Sequence, residues 1–382
     1  MCGIAGIMTV SGDAPDGKAL QSLTDALAHR GPDGDGIAVS GGVGLVQTRL
    51  AIIDLETGDQ PFLAAAGKGK ENAALVANGE IYNYVELRLD MGRVDFQTKS
   101  DCEPPLHLYF RHGLGFARHL RGMFAIAIHD PEEDCLVLSR DPFGIKPLYY
   151  AEIETGFVFA SEPQALHRAG LVKAALKAGP RDELLQLQFS TGAETVFEGI
   201  KRLLPGETLQ VRRGRISDRL VMHALPGGGP GDMPKGMALR RLDELLNESV
   251  GIHQRSDVPY GMFLSGGIDS SVLLTMMTRL NERPVRAFTA GFSGTTVSDE
   301  RDHARAVAAA ERLVIAVRRM KKAKVVMEAD PSALSLTHEL QEATAELLFE
   351  QYGEGTAAGT YKYELELRFP SAMPDGEGMD NP

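Results

Sequence analysis

From residue 3 to about residue 160 the chain is a series of short apolar runs, each closed by Gly, Pro, Asn or Asp. The runs are GIAGIM, GLVQTRLAIIDL, AALVANGEIYN, GMFAIAIHD, CLVLSRD, LYYAE and GFVFASE. Apolar stretches this short, bounded by turn residues, predict strands buried in packed β-sheets. Between them, GKALQSLTDALAHRG and SDCEPPLHLYFRHG read as helices, the first halted by Gly31 and Pro32. Helices set between groups of strands predict a layered α/β or α+β domain in which sheet packs on sheet. Residues 196–220 predict a hairpin that closes this domain, which is expected over 1–220. Residues 221–234 are expected to be a linker, because LPGGGPGDMP is dense in Gly and Pro and has no period.

The pattern then changes. MALRRLDELLNESVGIHQR has the apolar spacing of a helix. VPYGMFL predicts a buried strand, SGGIDSS a glycine-rich turn, VLLTMMTRL a helix and VRAFTAGF the next strand. Strand, loop, helix and strand make a βαβ unit, so a doubly wound parallel sheet is expected in a second domain over 235–370. DERDHARAVAAAERL adds a helix, and 371–382 has the composition of a disordered tail. No internal repeat is visible.

Length and composition fit this two-domain reading. The chain has 382 residues, enough for two domains at roughly 100–200 residues each. Hydrophobic residues make up 43% and charged residues 24%, an ordinary globular mixture. The formal net charge of −12 argues against a nucleic-acid partner held by phosphate neutralisation. No apolar run approaches the roughly 18–20 residues of a membrane span, and MCGIAGIMTV has no basic region of a secretory signal. A cytoplasmic protein without membrane contact is expected. The three cysteines, Cys2, Cys102 and Cys135, form no CxxC pair and indicate neither a disulfide framework nor a zinc site.

Cys2 follows the initiator Met, and its small side chain permits removal of Met1. It then carries a free α-amino group with an unperturbed pKa of roughly 7.7–8. That amine is placed to take the proton of its own thiol and return it to a leaving group, so Cys2 is a candidate N-terminal nucleophile. Taken alone, Cys2 is equally a small hydrophobe at the start of the chain.

The surrounding motifs weigh in. MCGIAGI, HRGPDGDG, TRLAIIDL, ANGEIYN, SDCE, RGMFAIAI, RDPFGIKPLYY and FASE, in this order, resemble the class II glutamine amidotransferase domain as it is joined to asparagine synthetases. The resemblance runs from residue 1 to about 210. It implies a sandwich of antiparallel sheets between helices, with Cys2 at the end of a buried strand, and glutamine-binding positions at Arg49, Asn78, Gly79, Glu80 and Asp101. The residue types suit those roles. Amide hydrolysis passes through a tetrahedral oxyanion, for which the Asn78 side chain and the Gly79 backbone N–H offer donors. The planar fork of Arg49 suits the α-carboxylate of glutamine. Asp101 suits its ammonium, and Glu80 adds an acceptor. Each has a plainer alternative: Asn78-Gly79 as a type I′ hairpin turn, Arg49 and Asp101 as solvated charges. Arg30 and Asp33 read as residues that fix a loop near the mouth of the site. Cys102 and Cys135 read as structural.

In SGGIDS, the exposed N–H groups of a glycine-rich turn before a helix form an anion site. Gly266 and Gly267 admit phosphate oxygens, Ser265, Ser270 and Ser271 add hydroxyls, and Asp269 suits Mg²⁺. A plain turn with an N-cap is the alternative, and the missing Lys excludes the Walker A pattern. The loop resembles the PP-loop of ATP pyrophosphatases at the place where asparagine synthetases carry it. That implies ATP and Mg²⁺, with aspartate adenylated and then attacked by ammonia, and adenosine contacts at Leu264 and Ala290. Asp299 and Glu300 lie in a stretch that also resembles the family. The family resemblance carries the expectation of a homodimer.

Beyond about residue 312 the resemblance fades. The later family motif, roughly SGxGxDExFxGYxxY, has its nearest echo in YGEGTAAGTYKYE, residues 352–364. Gly353, Glu354, Gly355 and Tyr361 fit, but the Asp-Glu pair falls at Ala357 and Ala358, and Ala neither binds a metal nor moves a proton. Three readings stand beside glutamine-dependent asparagine synthesis: a glutaminase with an inactive synthetase half, an amidotransferase acting on another carboxylate acceptor, and an interaction protein descended from the enzyme.

Overall fold

The computed structural model describes residues 2–67, 70–225, 227–228, 231–265, 267–281, 285–290 and 302–309. Two compact units divide at Pro259 and Tyr260.

In the first unit β1 (Gly3–Thr9) leads through α1 (Gly17–Leu27) to β2 (Gly34–Ser40) and β3 (Val43–Arg49). β4 (Phe62–Ala65) and β5 (Asn72–Ile81) follow, then α2 (Tyr84–Met91) and α3 (Pro104–His112). β6 (Gly122–Asp130), β7 (Cys135–Arg140), β8 (Tyr149–Ile153) and β9 (Gly156–Ala160) precede α4 (Pro163–Arg168) and α5 (Ala178–Leu187). The short β10 (Lys201–Arg202), the hairpin of β11 (Glu207–Arg212) and β12 (Arg215–Val221), and α6 (Lys235–His253) complete the unit.

The strands form two six-stranded sheets, in the orders β10-β8-β9-β1-β3-β2 and β12-β11-β7-β6-β5-β4. Every pairing in both is antiparallel. The side-chain period of two then sorts each strand between two cores. In β5, Ala74 and Val76 face the other sheet, while Ala73, Leu75 and Ala77 face the helices. In β6, Ala125 and Ala127 join the inter-sheet core, and Phe124, Ile126 and Ile128 the helical one. On the other sheet Ile4 and Met8 point between the sheets, and Ala5 and Ile7 pack under Leu20, Leu23 and Leu27 of α1. Strands buried on both faces read as unbroken apolar runs, which is why they are visible in the sequence. The layers are helix, sheet, sheet, helix.

Some expected boundaries move. The run GLVQTRLAIIDL does not make one strand: β3 ends at Arg49, and Leu50–Asp54 leave it as a loop that turns at Asp54, whose φ is 56°. The second domain is expected from 235; α6 and the residues to Pro259 pack within the first compact unit. The end of α6 explains this. Glu248 pairs with Arg121 at 2.5 Å, and the His253 ring lies 3.9 Å from that of Tyr82, tilted by 38°.

The second unit, from Tyr260, holds β13 (Gly261–Phe263), α7 (Ile268–Leu280) and β14 (Arg286–Phe288), with a helix over 302–309. β13 and β14 are parallel and joined through α7, the predicted βαβ unit. The expected buried strand is largely exposed in the structure: Phe263 is 87% exposed. Asp299, Glu300, residues 352–364 and the expected tail lie outside the described residues.

Candidate active site

β1 begins at Gly3, so Cys2 stands at the mouth of the first sheet, and Gly3 pairs with Thr48 to bring Arg49 beside it. In the second sheet Asn78 and Gly79 lie inside β5, opposite Ala125 and Phe124 of β6. The hairpin-turn alternative for this Asn-Gly pair is thereby excluded. The glycine is needed for close packing, since a Cβ there would sit 2.6 Å from the Met123 carbonyl oxygen and 2.9 Å from the Phe124 Cα. Asp101 comes from the turn before α3. Cys2, Arg49, Asn78, Gly79, Glu80 and Asp101 line one cavity.

The Cys2 thiol accepts the Leu50 N–H at 3.4 Å and lies 3.6 Å from the Leu50 carbonyl. The Cys2 carbonyl accepts from Arg30 Nε at 3.0 Å, and Arg30 is anchored on Glu162 at 2.7 Å. Asp33 accepts the Ala51 N–H at 2.9 Å. Arg30 and Asp33 thus fix the chain on the two sides of the thiol. Cys2 is half-buried, whereas Cys102 and Cys135 are buried. Burial pushes both of their thiols up. A thiol that resists ionisation is a poor nucleophile.

Asn78 is 1% exposed, and both amide atoms are buried without a hydrogen-bond partner. Such a group costs roughly 1–3 kcal/mol, which a ligand entering the cavity offsets. Arg49 donates to Asp59 at 2.6 Å and to the Asp54 carbonyl, which leaves the rest of its fork for the cavity. Asp101 accepts the Ile81 N–H at 2.7 Å. Burial pushes its carboxyl up to about 6 against that bond. Burial likewise raises Glu80, opposed by Lys146.

Sequence reasoning missed Lys146 and Gln60, which line the same cavity. Gln60 accepts the Ala77 N–H through Oε1 at 2.6 Å. Lys146 is carried by a turn whose N–H groups at Phe143, Ile145 and Lys146 converge on the buried Asp141 carboxylate at 2.9–3.1 Å. Arg140 caps the same turn through the Lys146 and Gly144 carbonyls. RDPFGIKPLYY shows a turn ahead of Lys146, but that the turn aims the Lys at the cavity follows only from its bonds to Asp141.

In the second unit Leu264 and Ala290 stand just past the carboxyl ends of the parallel strands β13 and β14, the end where open α/β sheets bind ligands. Leu264 donates its N–H to the Phe288 carbonyl at 2.8 Å. The loop is tied by hydroxyls: Ser265 and Ser270 oxygens lie 2.9 Å apart, and the Gly267 N–H reaches Ser265 at 3.1 Å. Asp269 is exposed in the first turn of α7, and Gly266 lies outside the described residues. Among the described residues no group of three or more His, Cys, Asp or Glu converges. Asp269 offers one carboxylate, which fits a Mg²⁺ carried largely by phosphates and water. No helix among the described residues is long and apolar enough to cross a membrane.

A family model described as a glutamine amidotransferase domain matches residues 1–221, and one described as asparagine synthase matches 241–330. Asparagine synthetase [glutamine-hydrolyzing] 1 of Bacillus subtilis (strain 168) is 32% identical over 98% of this chain and 62% of its own length. Asparagine synthetase B [glutamine-hydrolyzing] of Escherichia coli (strain K12) is 35% identical over 75% of this chain and 46% of its own. The fungal amidase chry2 of Gibberella zeae is 34% identical over 73% of this chain and 43% of its own. The chain thus spans less than two thirds of the length of these relatives. It belongs to the asparagine synthetase family, with an N-terminal glutamine amidotransferase domain followed by an asparagine synthase domain.

Proposed function

We propose that the chain is a glutamine-dependent asparagine synthetase, in which Cys2 with Met1 removed hydrolyses glutamine and the second unit spends the ammonia on ATP-activated aspartate. The observation that carries the first half is the unpartnered amide of Asn78, buried in the same cavity as Cys2, Arg49 and Asp101. Arg49 binds the α-carboxylate of glutamine, and Asp101 with Glu80 its ammonium. The Cys2 thiol adds to the side-chain amide carbon while its α-amine takes the proton. The oxyanion that forms is held by the Asn78 side-chain N–H and the Gly79 backbone N–H. The amine returns the proton to the departing nitrogen, ammonia leaves, and a glutamyl thioester remains. Water then hydrolyses it to glutamate and restores the thiol.

In the second unit Ser265, Gly266, Gly267 and Ser270 receive the phosphates of ATP, and Leu264 and Ala290 its adenosine. Asp269 would hold a Mg²⁺ ion, which would neutralise phosphate charge. Aspartate is adenylated, pyrophosphate leaves, and ammonia displaces AMP to give asparagine. We further place the enzyme in the cytoplasm as a homodimer, in keeping with its acidic balance and its family.

Purified protein given glutamine, with and without ATP and aspartate, tests both halves. Glutamate and AMP rising together support the whole reading. Glutamate alone supports a second one, an amidotransferase with another carboxylate acceptor or a silent synthetase half. Ala357 and Ala358 at the positions of the family's Asp-Glu favour that second reading. No glutamate from a protein with Met1 removed overturns the role of Cys2.

A further inference from the structure

Residues 248–257, close to the end of the first unit, bond to two stretches that lead into the cavity without lining it themselves. On one wall Asp257 makes a reciprocal pair with the loop after Arg49. Its backbone N–H reaches the Ile52 carbonyl at 3.0 Å, and its carboxylate accepts the Asp54 N–H at 2.7 Å. Asp54 is the left-handed residue of that loop, and its carbonyl accepts from Arg49 Nη2. A non-glycine residue at positive φ is held only when its surroundings over-determine it. Here Asp257 holds the N–H, while Thr57 and Lys99 hold the side chain at 2.6–3.0 Å. Just past the end of β5 Arg255 binds both Glu86 oxygens, at 2.5 and 2.7 Å, and the Tyr82 carbonyl. Tyr82 directly follows the β5 end that carries Asn78, Gly79 and Glu80. The Glu86 carboxyl is drawn down to about 2 by its bonds to Arg255 against burial, so the pair stays ionised at neutral pH. Arg255 and Asp257 both fall in the stretch matched by the asparagine synthase model, not by the amidotransferase model.

We propose that Glu248–Asp257 is a strap that sets the affinity of the cavity for glutamine, and that Asp257 is a positioning residue acting on Arg49 through Asp54. This rests on the glutamine reading of the site. The strap gives residues of the asparagine synthase stretch a direct hold on the amidotransferase pocket. Loss of the Asp257 carboxylate frees the Asp54 N–H and loosens the carbonyl on which Arg49 leans. Substrate binding weakens, while the thiol and its oxyanion donors stay in place.

The test uses the full chain with Asp257→Ala and Asp257→Asn. Both keep the backbone bond to Ile52, and only Asn keeps a side-chain oxygen for the Asp54 N–H. Asp257→Ala is expected to raise the KM for glutamine about tenfold with kcat within twofold, and Asp257→Asn to restore most of the affinity. In parallel, hydrogen exchange over residues 52–58 is expected to quicken about tenfold or more in Asp257→Ala, with Ala74–Ala77 of β5 unchanged as the reporter of global folding. An unchanged KM, an equal fall in kcat, or an unchanged loop overturns the strap. Where the parent releases no glutamate the glutamine reading fails, and the exchange of the loop still decides whether Asp257 holds it.

Discussion

Asn78 and Asp101 show how the cavity sets stability against chemistry one residue at a time. Asn78 has two buried amide atoms and no partner for either, so its side chain is kept for something that enters. Asn78→Ala is expected to lower kcat for glutamate release about 10²–10³-fold with a small change in KM, as loss of a single oxyanion donor does. Steady-state kinetics check this, and a fall in affinity alone would move Asn78 from oxyanion to ground-state binding. Asp101 behaves differently. Its buried carboxyl titrates near 6, so the charged form that pairs with an ammonium fades below that pH. The free-enzyme profile of kcat/KM is expected to fall more steeply below about 6, where loss of the Asp101 charge adds to protonation of the Cys2 α-amine. The same shift has the opposite sign for folding. The native state binds the proton more tightly than the unfolded chain, so stability declines as pH rises from about 4 to about 6. Asp101→Asn keeps an acceptor for the Ile81 N–H and removes the buried charge. It is expected to raise stability at pH 7.5 by on the order of 1–3 kcal/mol, seen as a higher Tm, to leave Tm at pH 4 unchanged, and to lose glutamine affinity. Thermal melts at the two pH values beside a KM measurement decide it. The sequence alone named both residues through a resemblance. It did not show Lys146 or Gln60, whose aim depends on a turn and a pairing made only in three dimensions.

At the scale of the element, the legible strands were those buried on both faces. β5, β6 and β7 run as unbroken apolar stretches because one face meets the other sheet and the opposite face meets helices. β2 and β4 were not read as strands: β2 is an exposed edge with two glycines in GDGIAVS, and β4 has four residues. Leu50–Asp54 was over-read as strand because residues that line a cavity look as apolar as those of a core. Between the sheets the fit is tight enough to be tested. Gly6 of β1 faces Phe159, and a Cβ there would lie 2.5 Å from that ring and 2.7 Å from the Gly44 carbonyl oxygen. The ring is fully buried and the carbonyl belongs to the pairing of β1 with β3, so neither has room to yield. Gly6→Ala is expected to cost about 1–3 kcal/mol, seen as a lower Tm, as overpacking does. Leu23→Ala, under β1 in α1, leaves a void instead and is expected to cost about 2–5 kcal/mol. Because Cys2 directly precedes β1, both variants also report whether strain in the sheet reaches the thiol, through its alkylation rate.

For the whole molecule, the proposed reading assigns a separate chemistry to each of the two units, and the dissection follows from that. The sequence placed the join at a Gly- and Pro-rich stretch, yet the first unit continues to Pro259, because Glu248, His253, Arg255 and Asp257 bind back onto it. Composition marks where a chain is flexible; it does not mark which later residues return to a surface already made. In the second unit the βαβ order and the SGGIDS turn were legible, since strand ends and glycines are local signals. If the cavity supplies ammonia and the turn binds ATP, the two reactions respond differently to the same changes. Cys2→Ala is expected to abolish glutamate release and glutamine-driven AMP formation, while added ammonium salt still drives AMP release from ATP and aspartate. Asp269→Asn is expected to do the reverse, leaving glutamate release within about twofold and lowering AMP formation at least tenfold from either nitrogen source. Ammonium rescue of the Cys2 variant establishes a working synthetase centre without help from the thiol. Failure of rescue, with the parent active on glutamine, shows instead that ammonia reaches the acceptor only when released at Cys2, and the chemistries are then one coupled device.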